Sequence, residues 1–358
     1  MVNAAAHWDT VTAADLRRWL GQLLFLRRLD AKMLRWQRQG RLGFYGPVTG
    51  QEAVVVALAA AFAPSDWVFP ALRESGLLLL RGMPLTRWLA QHLGSADDVL
   101  KGRQMPSHPA GRDWRVVSWS SSIGTQLPQA VGFAWGLGRA RTHARAMGQG
   151  HAGAHGHAGA RCDAGHTGRG AVVLACLGDG ATSTADFHQA LLWARGAGSA
   201  LPCLFLCQNN GWALSTPTRQ QTRAASFTAL AAGYGIETRR LDGMCLPALV
   251  QGLAAARSWV RAQGQPCFVE VLSHRLGPHS SSDDVRRYRS ESEEAAGWRR
   301  DPVQAAVDVA EARRLIDATR LLATIDARID TAWAAAQRAC APALDTLTED
   351  VYGAMPAR

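Results

Sequence analysis

No apolar run in this chain of 358 residues approaches the ~20 residues that a membrane-spanning helix requires, so a membrane partner is not expected. The stretch from Met1 to Asp9 holds no basic region followed by an apolar core, which argues against a secretory signal and makes a cytoplasmic protein the expectation. The seven cysteines, scattered from Cys162 to Cys340, form no close CxxC pair. Cys203 and Cys207 fall in an apolar, strand-like run, so reduced core thiols are expected in place of disulfides or zinc. Acidic residues are the minority, 29 against 39 basic ones, giving a net charge of +10 and a pI near 9.9. There is nevertheless no basic tail and no recognition motif, and the arginines alternate with Trp and Leu along helices. Solvated helix faces account for that pattern, and no nucleic-acid partner is expected. The excess charge still favours anionic ligands and acidic partner surfaces. With 47% hydrophobic residues the chain is long enough to bury a large core in one extended domain or two.

What is present is organised around glycine. The apolar run 171–177 ends in Gly178-Asp179-Gly180, and after a further 28 residues Asn209-Asn210 closes a second apolar run. Strand, glycine turn, helix and strand succeed one another as in a βαβ unit. Glycine and aspartate also populate ordinary turns, so the triplet gains its meaning from the flanking strands, the spacing and the asparagine pair. An acid between two glycines at a strand's carboxyl end lets the backbone approach a diphosphate. Its carboxylate and an asparagine amide from the next strand end can hold a magnesium ion.

Elsewhere, residues 12–39 carry Leu16, Leu20, Leu23, Leu24, Leu29, Met33 and Trp36 near helical spacing, with Thr12 and Asp15 as a cap. A turn-rich connection, 41–50, holds Phe44 and Tyr45 and leads into a buried helix over 51–62. A short strand is expected at 115–119, then Ser120 to Gln126 and a small-residue helix. From 138 to 170 the composition turns to Gly, Ala, Arg and His, with His143, His151, His155, His157 and His166 beside Cys162. Nothing there fixes ligand geometry, so a disordered, removable insertion is expected and not a metal site. Helices at 226–235 and 247–263 alternate with strands at 236–241 and 268–273. The alternation predicts right-handed crossovers, a mostly parallel sheet covered on both faces, and a site at the strands' carboxyl ends. The alanine-rich helical tail, 301–341, is expected to support a subunit interface. The chain thus divides into 1–137, the insertion 138–170, the core 171–290 and a helical region 291–358.

Several segments in order carry a family resemblance: Leu26-Arg27-Arg28-Leu29-Asp30, Arg38-Gln39-Gly40-Arg41, Trp67-Val68-Phe69-Pro70-Ala71-Leu72-Arg73-Glu74, Gly102-Arg103-Gln104-Met105-Pro106-Ser107-His108 and Thr125-Gln126-Leu127-Pro128-Gln129-Ala130-Val131-Gly132. With the GDG and NN signature they resemble the alpha subunit of the thiamine diphosphate-dependent decarboxylating component of 2-oxo acid dehydrogenase complexes. The GRQMPSH segment and Gly277-Pro278-His279-Ser280-Ser281-Ser282-Asp283-Asp284 are similar to the branched-chain (2-oxoisovalerate) type. The resemblance implies an α/β thiamine diphosphate-binding fold with N- and C-terminal helical extensions.

It further implies magnesium ligands at Asp179, Asn210 and the Trp212 carbonyl, with Gly180, Ala181 and Arg73 near the diphosphate. Ser121 and the Ile123 backbone would lie by the thiamine rings. Ser120, Ser122, Thr125 and Gln126 resemble a potassium site, and a capped helix start describes the same residues equally well. His279 would act over the cofactor by proton transfer or by stabilising the bound oxo acid. Ser280 resembles a regulatory phosphorylation position. The implied activity is decarboxylation of 3-methyl-2-oxobutanoate or related 2-oxo acids and transfer of the acyl group to a lipoyl acyltransferase core. A beta subunit would complete an α2β2 assembly by supplying the glutamate that activates the cofactor. Pyruvate or acetoin dehydrogenase, or a non-catalytic assembly paralogue, are the alternatives. The family commonly has Tyr where Leu72 stands, Arg where Gln208 stands, Tyr where Trp212 stands and His where Pro278 stands. The first two changes remove diphosphate donors, each worth about 1.5 to 3 kcal/mol when charge-assisted, so weakened cofactor binding is expected.

Overall fold

Five parallel strands form the centre of the molecule in the order β1 (Trp67–Phe69), β2 (Val173–Gly178), β3 (Cys203–Asn209), then β7 (Cys267–Leu272) and, at the edge, β6 (Glu237–Asp242). Two short antiparallel strands, β4 (Trp212–Ala213) and β5 (Thr216–Pro217), lie outside this sheet. The structure, a computed structural model, describes residues 4–149, 170–196 and 200–349.

Strand side chains alternate between faces, and here both faces are apolar. Leu174, Cys176, Leu204, Leu206, Val269 and Val271 meet the helices Ala13–Arg38, Glu52–Ala61 and Leu246–Gln263 in one core cluster. Val173, Ala175, Leu177, Cys203, Phe205, Cys207 and Phe268 meet helices starting at Gln126, Ala185 and Phe227 in the other. Burial on both sides is what a parallel sheet requires, and it explains why these strands read as continuous apolar runs. Cys176, Cys203, Cys207 and Cys267 are free thiols inside this core. The edge strand β6 instead carries Glu237, Arg239 and Arg240, charges that discourage further pairing.

The first long helix, Ala13–Arg38, begins where expected. The Thr12 hydroxyl accepts from the Asp15 amide at 3.1 Å, and the Asp15 carboxylate accepts from the Thr12 hydroxyl at 2.9 Å. Two expectations change. Residues 115–119 are not a strand: only Val116 makes bridges, to Val68 and Gly111, because Arg115 at φ 53° turns the chain into the left-handed region. The region 138–170 is not irregular from its start. The helix that begins at Gln126 continues to Gln149, and 150–169, with His151, His155, His157, His166 and Cys162, lies outside the described residues. Gly138 belongs to that helix for a packing reason, since a Cβ there would overlap the Ala200 carbonyl oxygen.

The C-terminal tail is two helices, Pro302–Ala312 and Ala318–Ala336, capped by Asp301 and Asp317. Their apolar faces cover this chain's own N-terminal helix: Trp333 stacks on Trp36 with centroids 3.9 Å apart, and Lys32 pairs with Asp330 at 2.5 Å. Among the described residues no helix is long and apolar enough to cross a membrane.

Gly138→Ala is expected to destabilise the chain by about 1 to 3 kcal/mol through overpacking against Ala200. Urea denaturation of the two proteins checks this, and an unchanged midpoint would contradict the packing assigned to the helix.

Candidate functional site

Parallel pairing sets Gly178 at the end of β2 opposite Gln208 in β3. Both strands therefore stop at one level, and the turns that leave them open into a single cavity of about 410 Å³. Asp179, Gly180 and Ala181 line it from β2, Gln208, Asn210 and Trp212 from β3, and Arg73, Ser121, Ile123 and His279 from the surrounding loops.

Asp179 is buried, and its Oδ2 accepts from Thr218 and Gln221, both at 3.3 Å. Burial raises its carboxyl above the ordinary range, with these hydrogen bonds and Arg275 only partly offsetting it. A cation beside it would reverse that shift. Gly180 must lack a side chain, because a Cβ would sit 2.8 Å from that of Ala213. The two asparagines divide their work. Asn209 donates to Glu270 at 2.8 Å and accepts from the Gly211 amide at 3.0 Å, so it shapes the turn. Asn210 faces the cavity, accepting from the Trp212 amide at 3.1 Å and donating to Gln51 at 3.2 Å. Among the described residues no group of three or more His, Cys, Asp or Glu is placed to hold a metal ion by itself. The Asp179 carboxylate and the Asn210 amide oxygen are donors of the kind a hard cation accepts, and Trp212 lines the same cavity.

Arg73 and His279 meet across the cavity wall. The guanidinium donates to the Pro47 carbonyl, to the His279 carbonyl at 3.0 Å and to His279 Nδ1 at 3.1 Å. Guanidinium nitrogens only donate, so Nδ1 accepts and the neutral ring carries its proton on Nε2. Burial, then Arg73 and Arg275, push the His279 imidazole down to about 3. The loop holding it is braced: Asp283 accepts from the His279 amide at 2.6 Å and from Tyr288 at 2.5 Å, while Arg275 donates to Tyr288 at 2.7 Å. Ser280 is buried in that loop, and the Ser281 amide donates to the Tyr45 carbonyl at 2.8 Å.

Ser120, Ser122, Thr125 and Gln126 share one turn. The Thr125 and Ser120 hydroxyls are 3.2 Å apart, Thr125 donates to the Ser122 carbonyl at 2.9 Å, and the Gln126 amide donates to the Cys176 carbonyl at 2.8 Å. Phe44 lines the cavity, but Tyr45 does not: its hydroxyl donates to buried Asp30 at 2.5 Å and its ring packs on Trp88. Consecutive residues in this extended segment point opposite ways, which composition could not assign.

Sequence patterns give no role to His108, Glu74 or Gln51. His108 stacks on Trp119 at 4.1 Å and meets Ser121 Oγ at 2.9 Å. Its Nδ1 lies 2.9 Å from the Pro106 carbonyl, which fixes the proton on Nδ1 and makes Ser121 the donor to Nε2 in the neutral ring. His108 and Glu74 stand inside segments that signal the family, but segment matching assigns no role to single positions.

Over residues 22–343 the chain matches the dehydrogenase E1 component family. It is 38% identical over 271 residues to the 2-oxoisovalerate dehydrogenase subunit alpha 2, mitochondrial, of Arabidopsis thaliana, covering 76% of this chain and 51% of that one. The 2-oxoisovalerate dehydrogenase subunit alpha, mitochondrial, of Homo sapiens is 36% identical over 271 residues, with 76% and 54% covered, and that of Bos taurus is 36% identical, with 76% and 53% covered. The chain spans about half the length of the curated relatives it matches. These matches overturn the expectation of a cytoplasmic protein, since the relatives bear the word mitochondrial in their names. The reason is physical: lack of a secretory signal speaks against export and does not separate cytoplasm from an organelle interior.

A depressed histidine pKa means the folded chain refuses a proton that the unfolded chain accepts near pH 6.5. The His279 contribution to stability is therefore full above about pH 6.5 and is lost as pH falls towards about 3. His279→Asn is expected to flatten the fall in thermal midpoint of the ligand-free chain between pH 6.5 and 4. An unaltered pH dependence would contradict the buried, neutral imidazole.

Proposed function

Because the chain belongs to the dehydrogenase E1 component family, we propose that it is the alpha subunit of a branched-chain 2-oxo acid dehydrogenase. It decarboxylates 3-methyl-2-oxobutanoate and related 2-oxo acids and passes the acyl group to a lipoyl acyltransferase. The observation that supports this best is the meeting of Asp179, Asn210 and Trp212 with Arg73 and His279 around one cavity. Thiamine diphosphate, when bound, supplies the electron sink that the loss of carbon dioxide from a 2-oxo acid needs.

The chain's own residues bind and orient. Asp179, Asn210 and the Trp212 carbonyl hold magnesium, and Gly180 and Ala181 let the backbone come close to the diphosphate. Ser120, Ser122, Thr125 and Gln126 hold potassium, their hydroxyl and amide oxygens lying on one turn. Arg73 contributes charge and fixes the His279 tautomer, so that Nε2–H donates a hydrogen bond to an oxygen of the bound acid or cofactor. Ser121 and the exposed Ile123 flank the ring end. Phe44, Leu72 and Leu214 give an apolar lining, which suits aliphatic side chains because each buried methylene contributes about 0.8 kcal/mol.

A beta subunit completes the site in an α2β2 assembly. A second reading, a non-catalytic assembly subunit, has one observation in its favour: Leu72 and Gln208 line the cavity where cofactor donors commonly stand.

The test is turnover of 3-methyl-2-oxobutanoate, pyruvate and acetoin by the chain co-expressed with its beta partner in thiamine diphosphate and magnesium. Preference for the branched acid is expected. Preference for pyruvate or acetoin would reassign the substrate, and absence of both turnover and cofactor binding would leave the assembly subunit.

A further inference from the structure

Three neutral amides and one carboxylate line the floor of the cavity in a single file. Asn210 Nδ2 donates to Gln51 Oε1 at 3.2 Å, Gln51 Nε2 donates to Gln208 Oε1 at 2.7 Å, and Gln208 Nε2 donates to Glu74 Oε1. Gln51, Gln208 and Glu74 are each 1% exposed. Water is thus excluded from three of the four residues, and each must be satisfied by protein partners.

A side-chain amide has two ends, and a file of amides could run either way. Here the carboxylate decides. Both Glu74 oxygens accept, Oε2 from the Ala71 amide at 2.7 Å and Oε1 from Gln208. Burial raises the Glu74 carboxyl, while the hydrogen bonds from the Ala71 amide and Gln208 and the Arg73 charge favour its ionised form; that form offers no proton, so Gln208 turns its nitrogen to Glu74 and its oxygen to Gln51. Gln51 must then turn its nitrogen to Gln208, and the second proton of that nitrogen reaches Ser273 Oγ at 3.3 Å. Its oxygen is left for Asn210 Nδ2, and Asn210 Oδ1, which also accepts from the Trp212 amide at 3.1 Å, is left on the cavity side.

Gln51 stands at the N-cap of the helix Glu52–Ala61, yet its side chain caps nothing; the file is what occupies it. The file also depends on Gln208 being able both to donate and to accept. Arginine, common at position 208 in the family the sequence resembles, has donors only and cannot accept from Gln51.

We propose that Glu74, Gln208 and Gln51 form a polarity relay that, together with the Trp212 amide, fixes the orientation of the Asn210 amide, making Gln51 and Glu74 positioning residues for the magnesium ion. The relay rests on the reading of Asp179 and Asn210 as metal ligands. It lets a neutral residue at 208 serve the site by orienting a metal ligand where an arginine would donate to phosphate. Outer partners that orient a ligand commonly change metal affinity by about 10-fold or more when removed.

The experiment is a magnesium titration of thiamine diphosphate binding, monitored by calorimetry, on the chain co-expressed with its beta partner. Asp179→Asn, Glu74→Gln and Gln51→Leu are compared with the parent. Glu74→Gln keeps shape and volume but can both donate and accept, so the direction of the file is no longer imposed. Both Glu74→Gln and Gln51→Leu are expected to raise the magnesium half-saturation about tenfold. The melting temperature of Glu74→Gln without metal or cofactor should stay at the parent value, and Asp179→Asn should abolish the magnesium response. Parental half-saturation in both relay variants, with Asp179→Asn inactive towards magnesium, overturns the relay alone. A Glu74→Gln protein with a lowered ligand-free melting temperature also overturns it, because Glu74 would then serve folding. A parental response in Asp179→Asn overturns the metal-site reading itself.

Discussion

The parallel pairing of β2 with β3, with Gly178 opposite Gln208, is the constraint on which the site depends. It brings two strand ends to the same height, so that Asp179 and Asn210, thirty-one positions apart by number, face one cavity. A shift of one residue would turn Leu174 and Cys176 from one apolar cluster into the other and would expose the wrong side of each strand end. Burial of both sheet faces is what prevents the shift. The core thus fixes the geometry of the site by forbidding alternatives to its register, and no contact within the cavity has to do so.

Around that fixed floor the walls are held by polar groups taken out of water. Asp30, raised to about 6 mainly by burial, accepts from Tyr45, the Val48 amide and Thr49. Glu52 accepts from the Gly50 amide at 2.7 Å and pairs with Arg27, which also binds Asp301 at 2.8 Å. These carboxylates tie the first long helix to the segment 44–51, and that segment in turn holds the His279 loop through Tyr45 and Ser281 and through Thr49 and Leu276. Breaking a buried pair on one side leaves an uncompensated charge. The N-terminal helix and the C-terminal helices packed on it are therefore coupled to the His279 loop through ions and not only through apolar area.

Much of this architecture is legible in the sequence. Apolar runs mark β2, β3 and β7, and helical spacing marks Ala13–Arg38 with its Thr12 cap, because those signals come from local geometry and burial acting together. The residues expected at the site, Asp179, Gly180, Ala181, Asn210, Trp212, Arg73, Ser121, Ile123 and His279, do line one cavity. The features that escape a sequence reading are decided by single-residue events. Arg115 in a left-handed conformation ends a strand at Val116, and Gly138 is a packing glycine in a helix where composition alone suggests a loop. Tyr45 points into the core beside Asp30 and Phe44 into the cavity. The direction of the Gln51, Gln208 and Glu74 file cannot be read from sequence at all, since it depends on which hydrogen-bond ends meet in three dimensions.

The central claim is that the cavity at the ends of β2 and β3 holds a divalent cation on Asp179 and Asn210 against a bound diphosphate. The most direct measurement replaces magnesium with manganese and records phosphorus hyperfine coupling by electron paramagnetic resonance, on the chain assembled with its beta partner and thiamine diphosphate. The account predicts coupling of the metal to the diphosphate in the parent protein and its loss in Asp179→Asn. Unchanged coupling in Asp179→Asn, or no coupling in the parent despite bound thiamine diphosphate, would contradict it.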